Sequence, residues 1–153
     1  MALYLVQHGL ALPKEKDPEK GLSGEGHAQT ERIAEVARGY GVRVSGIRHS
    51  GKARAQQTAA IFERYLTPPE GVRQQAGLEP LADAAALAKQ LDLSADWMLV
   101  SHLPLMERLT TYLLIGSTTP TVFRFQNSGI VCIDKHPETE GAVIKWTLMP
   151  NIG

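Results

Sequence analysis

The chain has little of what marks several common protein classes. It has one cysteine in 153 residues, so no internal disulfide forms, and Cys132 is expected to be a small buried core residue. Its 16 basic and 16 acidic residues balance, which gives no general attraction to nucleic acid or membranes. No run approaches the roughly 18 apolar residues of a membrane span, and the apolar start at residues 3–6 is too short for a secretory signal. We therefore expect a cytoplasmic protein with neither nucleic acid nor a membrane as its partner.

Length and composition predict a single domain over residues 1–153. The chain is 43% hydrophobic and 21% charged, which is typical of globular proteins. A chain of this length buries most of the surface that its unfolded form exposes. No internal repeat or low-complexity tract divides it.

Hydrophobic patterning predicts strands that alternate with helices. Apolar runs favour strands at residues 3–7, 44–47 and 97–101, and 3.6-residue periodicity favours helices at residues 24–39, 52–67, 84–91 and 105–116. The last third predicts three strands, at residues 121–125, 129–134 and 142–148. This order indicates an α/β fold: a three-layer α/β/α arrangement around an open, mixed, mostly parallel sheet.

Chemically useful side chains follow the predicted strands. His8, Ser50 and His102 come at strand ends, and ligands of open α/β sheets bind at the carboxyl ends of the strands. An imidazole that precedes a turning glycine can accept a phosphoryl group if one ring nitrogen is neutral and free. Arg54, in the first turn of a predicted helix, can hold phosphate oxygens together with backbone N–H groups. The pattern therefore favours phosphoryl chemistry at one sheet edge.

These segments resemble the motifs of the histidine phosphatase superfamily, and within it the short SixA-type phosphohistidine phosphatases. The family's opening Arg-His-Gly is matched by Gln7-His8-Gly9, and its Ser-Pro-x-x-Arg-Ala-x-x-Thr by residues 50–58. Its Ser-His-x-Pro is matched by residues 101–104, and its Leu-Ser-x-x-Gly by residues 22–26. The resemblance extends over nearly the whole chain and implies the phosphoglycerate mutase-like fold.

The resemblance also implies roles for individual residues. His8 would attack phosphorus and become transiently phosphorylated, while Arg54 and His102 would bind the equatorial oxygens. His8 is expected to be neutral and His102 to act as imidazolium, because the guanidinium should lower the pKa of His8 and the bound phosphate should raise that of His102. The candidate substrate-binding residues lie in the same motifs: Gln7, Gly9, Ser50, Lys52 and Ser101. No metal and no cofactor is expected.

Two features depart from an ordinary member of the family. Gln7 replaces the family's first arginine, so a permanent charge is missing, and neighbouring Lys52 or His49 are the candidates to compensate. No clear general acid is present. Asp83 is the weak candidate for that role and Glu79 a weaker one, and the pattern favours a loop or helix-capping role for both carboxylates. A phosphohistidine needs less help from an acid than a phosphomonoester, because its leaving imidazole takes a proton near neutral pH.

Three other interpretations stay open. His8, His49 and His102 would form a zinc site, although their spacing matches no local ligand pair and Arg54 would repel the cation. The domain would bind a phosphorylated histidine without turning it over, since Gln7 weakens the site. A phosphatase for small phosphomonoesters is the alternative enzyme. The favoured hypothesis is a phosphohistidine phosphatase whose partner is a phosphohistidine-bearing signalling protein, or otherwise a small phosphorylated substrate, with inorganic phosphate as product.

Overall fold

A six-stranded mixed sheet organises the protein, and the computed structural model describes residues 1–152. The strands, in chain order, are β1 (Leu3–Gln7), β2 (Gly46–His49), β3 (Val72–Gln74), β4 (Trp97–Ser101), β5 (Ile130–Lys135) and β6 (Ala142–Leu148). The helices are α1 (Gly24–Gly39), α2 (Ala53–Leu66), α3 (Ala84–Gln90) and α4 (Leu105–Ile115).

The strands follow the spatial order β3-β2-β4-β1-β5-β6. Strands β1 to β4 pair in parallel, whereas β5 runs antiparallel to both β1 and β6. Parallel strands must be joined by crossovers, and helices provide them here. The fold predicted from the sequence, a mixed α/β sheet with an antiparallel C-terminal part, is confirmed.

Central strand β1 is apolar throughout because it is buried on both faces. Leu3 and Leu5 pack into the core on one side of the sheet, and Tyr4 and Val6 into the core on the other. The alternation follows from the two-residue repeat of a strand. Helices α1 and α2 cover the Tyr4 face, and α3 and α4 cover the Leu3 face.

Each helix contributes an apolar stripe to one of these cores. On α2, Phe62 has no exposed surface, and burial of such a side chain contributes about 1.5–3 kcal/mol. The hydroxyl of Ser23 accepts the N–H of Gly26 at 2.9 Å and so caps α1. The helix therefore begins where the sequence predicted it.

Three of the strand predictions are wrong. The second strand covers Gly46–His49 rather than residues 44–47, because its ladder pairs Gly46 with Trp97 and His49 with Val100. The short edge strand β3 was not predicted. Residues 121–125 form no strand, because α4 side chains bind their backbone: Glu107 accepts the N–H of Phe125 at 3.0 Å.

Cys132 lies in β5, 1% exposed, and burial raises its thiol pKa to about 11. It is the core residue that the sequence predicted. Of the helices within residues 1–152, none combines the length and the apolar character that crossing a membrane requires.

Candidate active site

Two histidines meet where strands β1 and β4 end. The parallel register pairs Gln7 with Ser101, and the backbone N–H of His8 donates to the carbonyl of Ser101 at 3.0 Å. The next residue of each strand is a histidine, so the register alone places His8 beside His102. Their ring centroids lie 5.0 Å apart, with 53° between the ring planes.

Arg54 reaches the same edge from the first turn of α2. Strand β2 ends at His49, and Gly51, at φ 91°, turns the chain towards the helix. That dihedral lies in the left-handed region that glycine adopts without strain. The Nε–H of Arg54 then donates to Nε2 of His8 at 3.3 Å. The structure therefore brings the three side chains predicted to handle phosphate to one place.

Hydrogen bonds define which nitrogen of His8 is free. Its Nδ1 lies 2.7 Å from the carbonyl oxygen of Gly9, an atom that only accepts, so Nδ1 carries the proton. Its Nε2 then holds the lone pair, in agreement with the bond that it accepts from Arg54. Burial lowers the pKa of His8 to about 4, and the charges of Arg54 and Lys20 add to the effect. His8 is therefore neutral at pH 7, with a free lone pair on Nε2.

His102 is 1% exposed and has one protein partner. Its Nε2 lies 2.6 Å from the hydroxyl of Ser50, and its buried Nδ1 has no hydrogen-bond partner. Burial lowers the pKa of His102 to about 3, with further lowering by His8 and by Arg54. Without a ligand these surroundings favour the neutral ring at pH 7. The imidazolium expected from the sequence depends on a bound phosphate and stays a prediction.

The charged side chains that act on the two histidines are all cationic. Arg54 and Lys20 lower the pKa of both rings, and Lys52 lowers that of His102. None of the ion pairs within residues 1–152 includes any of these three cations. The site thus concentrates uncompensated positive charge, which favours an anionic ligand.

The sequence indicates that the charged loop over residues 13–20 is a solvated surface close enough to His8 to border a pocket, but it does not single out Lys20. The available signal was its position two residues before the Leu22 to Gly26 motif. Lys52, by contrast, was a predicted substrate-binding residue. It lies at the N-terminus of α2, exposed, and its backbone N–H donates to the Ser50 hydroxyl at 3.3 Å.

Two predicted binding residues have structural partners instead. The N–H of Gly9 donates to the hydroxyl of Thr58 at 2.8 Å, and a Cβ at Gly9 would lie 2.7 Å from the hydroxyl of Thr30. The hydroxyl of Ser101 donates to the carbonyl of Leu78 at 2.6 Å. Gly9 therefore allows close packing behind His8, and Ser101 anchors the 78–83 loop.

Asp83, the weak candidate for the general acid, has a different position. Its carboxylate accepts the N–H of Ala86 at 3.1 Å and caps α3, and its side chain is exposed. It is not among the charges that act on either histidine. Asp83 therefore has the helix-capping role that the sequence favoured over that of a proton donor.

A further residue supports His8 from behind. The side-chain amide of Asn127 donates to the carbonyl of His8 at 2.9 Å, and the N–H of Ser128 donates to the carbonyl of Gln7 at 2.9 Å. Together they extend the end of β1. No local sequence signal reveals this role, because residues 126–129 only link two segments that the sequence predicted as strands.

The zinc alternative finds no geometric support. Over residues 1–152, no group of three or more His, Cys, Asp or Glu side chains is placed to hold a metal ion. His49 uses its Nδ1 to accept the N–H of Gly51 at 3.0 Å. His49 therefore serves the turn into α2.

The chain resembles characterised phosphatases along its whole length. No protein-family model matches it. It is 25% identical over 156 residues to the phosphohistidine phosphatase SixA of Escherichia coli (strain K12), a match that covers 98% of this chain and 94% of that protein.

Solved structures share the fold. A protein histidine phosphatase SixA complexed with tungstate superposes with a TM-score of 0.82 at 24% identity, over 98% of this chain and 97% of that one. A candidate phosphohistidine phosphatase SixA from Agrobacterium tumefaciens superposes with a TM-score of 0.74 at 26% identity, over 97% of each chain.

Proposed function

We propose that the chain, which is similar to SixA-type phosphohistidine phosphatases of the histidine phosphatase superfamily, removes the phosphoryl group from a phosphorylated histidine of another protein. The observation that carries the proposal is the convergence of His8, Arg54 and His102 at one sheet edge. Two uncharged imidazoles and a guanidinium match the needs of phosphoryl transfer, which depends on positioning and on compensation of charge.

The first step uses the lone pair on Nε2 of His8. That nitrogen attacks phosphorus in line with the leaving group, a P–N bond forms on His8, and the P–N bond of the substrate breaks. Nδ1 keeps its proton and donates it to the carbonyl oxygen of Gly9, and this hydrogen bond stabilises the positive charge that the ring gains. Arg54 exchanges its bond to Nε2 for bonds to the phosphoryl oxygens, which carry the developing charge.

The second step returns His8 to its starting form. Water attacks phosphorus of the phosphorylated His8, the P–N bond breaks with its electron pair on Nε2, and inorganic phosphate leaves. His102, through its unpartnered Nδ1, is the proposed ligand of a phosphoryl oxygen in both steps. No metal or cofactor takes part in this scheme.

The charges around the site favour a phosphoramidate over a phosphomonoester. Only cations act on the two histidines, and the carboxylate that the sequence suggested as a general acid, Asp83, caps α3. A phosphohistidine whose other ring nitrogen carries a proton releases a neutral imidazole, and a ring pKa of about 6.5 allows that protonation near neutral pH, so no general acid is needed. The proposed partner is therefore a phosphohistidine-bearing protein, with inorganic phosphate as product.

The test follows labelled phosphate from a phosphohistidine protein onto this chain. We expect acid-labile, alkali-stable label on the wild-type protein, followed by release of inorganic phosphate. The His8→Ala variant should take up no label, whereas His27→Ala, at an exposed position of α1, should behave as wild type. Labelling that persists in His8→Ala would contradict the proposed nucleophile.

Gln7 favours a second candidate, a phosphohistidine-binding module with little turnover. Its Oε1 is buried without a partner, and an amide cannot supply the charge of an arginine. Binding of the phosphohistidine protein without label on His8 would support this candidate. Comparing hydrolysis of that protein with hydrolysis of p-nitrophenyl phosphate tests the monoester alternative, and activity in excess EDTA tests the absence of a metal requirement.

A further inference from the structure

The site lacks the permanent positive charge that an arginine at position 7 would supply, and another cation lies close enough to replace it. At position 7 a glutamine occupies the strand end beside His8, so Arg54 is the only arginine whose charge acts on the two histidines within residues 1–152. Phosphoryl transfer spreads negative charge over three oxygens. A second cation next to Arg54 would therefore contribute strongly to binding these oxygens.

A closed loop, residues 11–22, carries a lysine near its end, close to this site. Ala11 pairs with Leu22, and the N–H of Leu12 donates to the carbonyl of Gly21 at 2.8 Å. The carboxylate of Asp17 accepts the N–H of Gly21 at 3.0 Å. These bonds shape the end of the loop, where Lys20 has a left-handed φ of 52°.

The loop is fastened directly to the site. The N–H of Leu22 donates to the side-chain carbonyl of Gln57 at 2.7 Å, and Gln57 lies one helical turn after Arg54 on α2. On its other side, Leu22 packs so closely on Gly9 that a Cβ there would lie 2.9 Å from Leu22 Cδ2. Lys20 is thus two residues from a point clamped between the His8 turn and the Arg54 helix.

The charge of Lys20 is available to a ligand. Within residues 1–152 it takes part in no ion pair, although Glu15, Asp17 and Glu19 share its loop. Asp17 instead accepts the backbone N–H groups of Glu19 and Gly21. Lys20 is also one of the cations that lower the pKa of both His8 and His102.

We propose that Lys20 is an oxyanion-binding residue that replaces the missing arginine at position 7, delivered over His8 and Arg54 by the clamped loop of residues 11–22. The proposal rests on the proposed function for the identity of the phosphoryl substrate. Its ligand chemistry, a tetrahedral oxyanion, is independent of turnover.

The test is a double-mutant cycle read by the affinity for inorganic phosphate, measured by calorimetry. Lys20→Met should weaken phosphate binding about tenfold, as expected for a hydrogen bond to a charged group. Gln7→Arg should strengthen it, and in the Gln7→Arg background the loss caused by Lys20→Met should shrink to less than about threefold, since the two charges serve the same oxygens. Lys20→Arg should retain wild-type affinity.

Lys16→Met is the matched control, because Lys16 is an exposed lysine of the same loop. It should change the phosphate affinity by less than about twofold, as distant exposed charges do. Equal losses in Lys16→Met and Lys20→Met, or a Lys20→Met loss that Gln7→Arg leaves unchanged, would overturn the proposal. Failure to label His8 would overturn the proposed enzyme without altering these equilibrium results.

Discussion

The sheet has one edge formed by the amino ends of the strands and one formed by their carboxyl ends. Polar groups have partners at the first edge and lack some of them at the second. At the amino ends of the strands, Asp96 accepts the N–H of Ala2 at 2.7 Å and lies 3.8 Å from the N-terminal ammonium. The Ser45 hydroxyl donates to the carbonyl of Ala95 at 2.7 Å. Charges and hydrogen bonds are paired there.

At the carboxyl ends, pairing is incomplete. Of the three buried side-chain atoms without partners in residues 1–152, two lie at this edge, on Gln7 and His102, and the third is Nε of Arg48. His102 is buried and His8 is half-buried, and only unpaired cations act on the two rings. Such unpaired groups cost stability unless a ligand completes them, so the difference between the edges identifies the functional one.

The largest expected effect is that of removing the guanidinium. Arg54→Met should lower kcat/KM for the phosphohistidine protein about 100- to 1000-fold, as loss of an oxyanion donor does. The same change should raise the pKa of His8, which an NMR titration of its ring protons measures, because the charge of Arg54 lowers that pKa.

Arg64→Met is the control for this change, since Arg64 lies on the same helix and pairs with Glu31 on the surface. It should leave kcat/KM within about twofold of wild type, because exposed ion pairs contribute little. A comparable loss of activity in both variants would point to damage of α2 rather than to a missing charge.

Acid should lower the free energy of unfolding, because His8 and His102 take up protons less readily in the folded protein than in the unfolded chain. The folded-state pKa values of His8 and His102, about 4 and about 3, lie below the ordinary 6.5, so the unfolded chain binds more protons between these values. Their contribution to stability is therefore complete above pH 6.5 and is lost as the pH falls towards 4 and then 3. We expect on the order of a few kcal/mol of destabilisation across this range.

Urea unfolding at pH 7 and pH 4.5 measures this loss. His8→Gln should reduce the difference in unfolding free energy between the two pH values, whereas His27→Gln, at an exposed site, should leave it as in wild type. An unchanged difference in His8→Gln would mean that other groups govern the acid response.

The smallest effect is expected at the paired edge. Asp96→Asn removes the charge near the N-terminus but keeps a side-chain oxygen and tolerates the left-handed φ of 58°. It should cost no more than about 1 kcal/mol in urea unfolding, and phosphate affinity should stay at the wild-type value. Weakened phosphate binding in this variant would show that the two edges are coupled.

The sequence predicted strands correctly where the pattern that defines them is local. Strands β1, β4 and β6 were predicted with their observed bounds, because their apolar runs are continuous or strongly patterned. The prediction failed at residues 121–125, whose β-like pattern is overridden by hydrogen bonds to Thr111 and Glu107 on α4. It also missed β3, a three-residue edge strand that is only partly buried.

The sequence by itself determined the alternation of strands and helices and the types of residue that end each strand, because side-chain periodicity and turn chemistry act over a few neighbouring positions. Only the tertiary structure decided that burial lowers the pKa of His102 and that the charge of Lys20 acts on both histidines. Those properties depend on burial and on charges from segments distant in the chain, and no local pattern encodes which of them will meet.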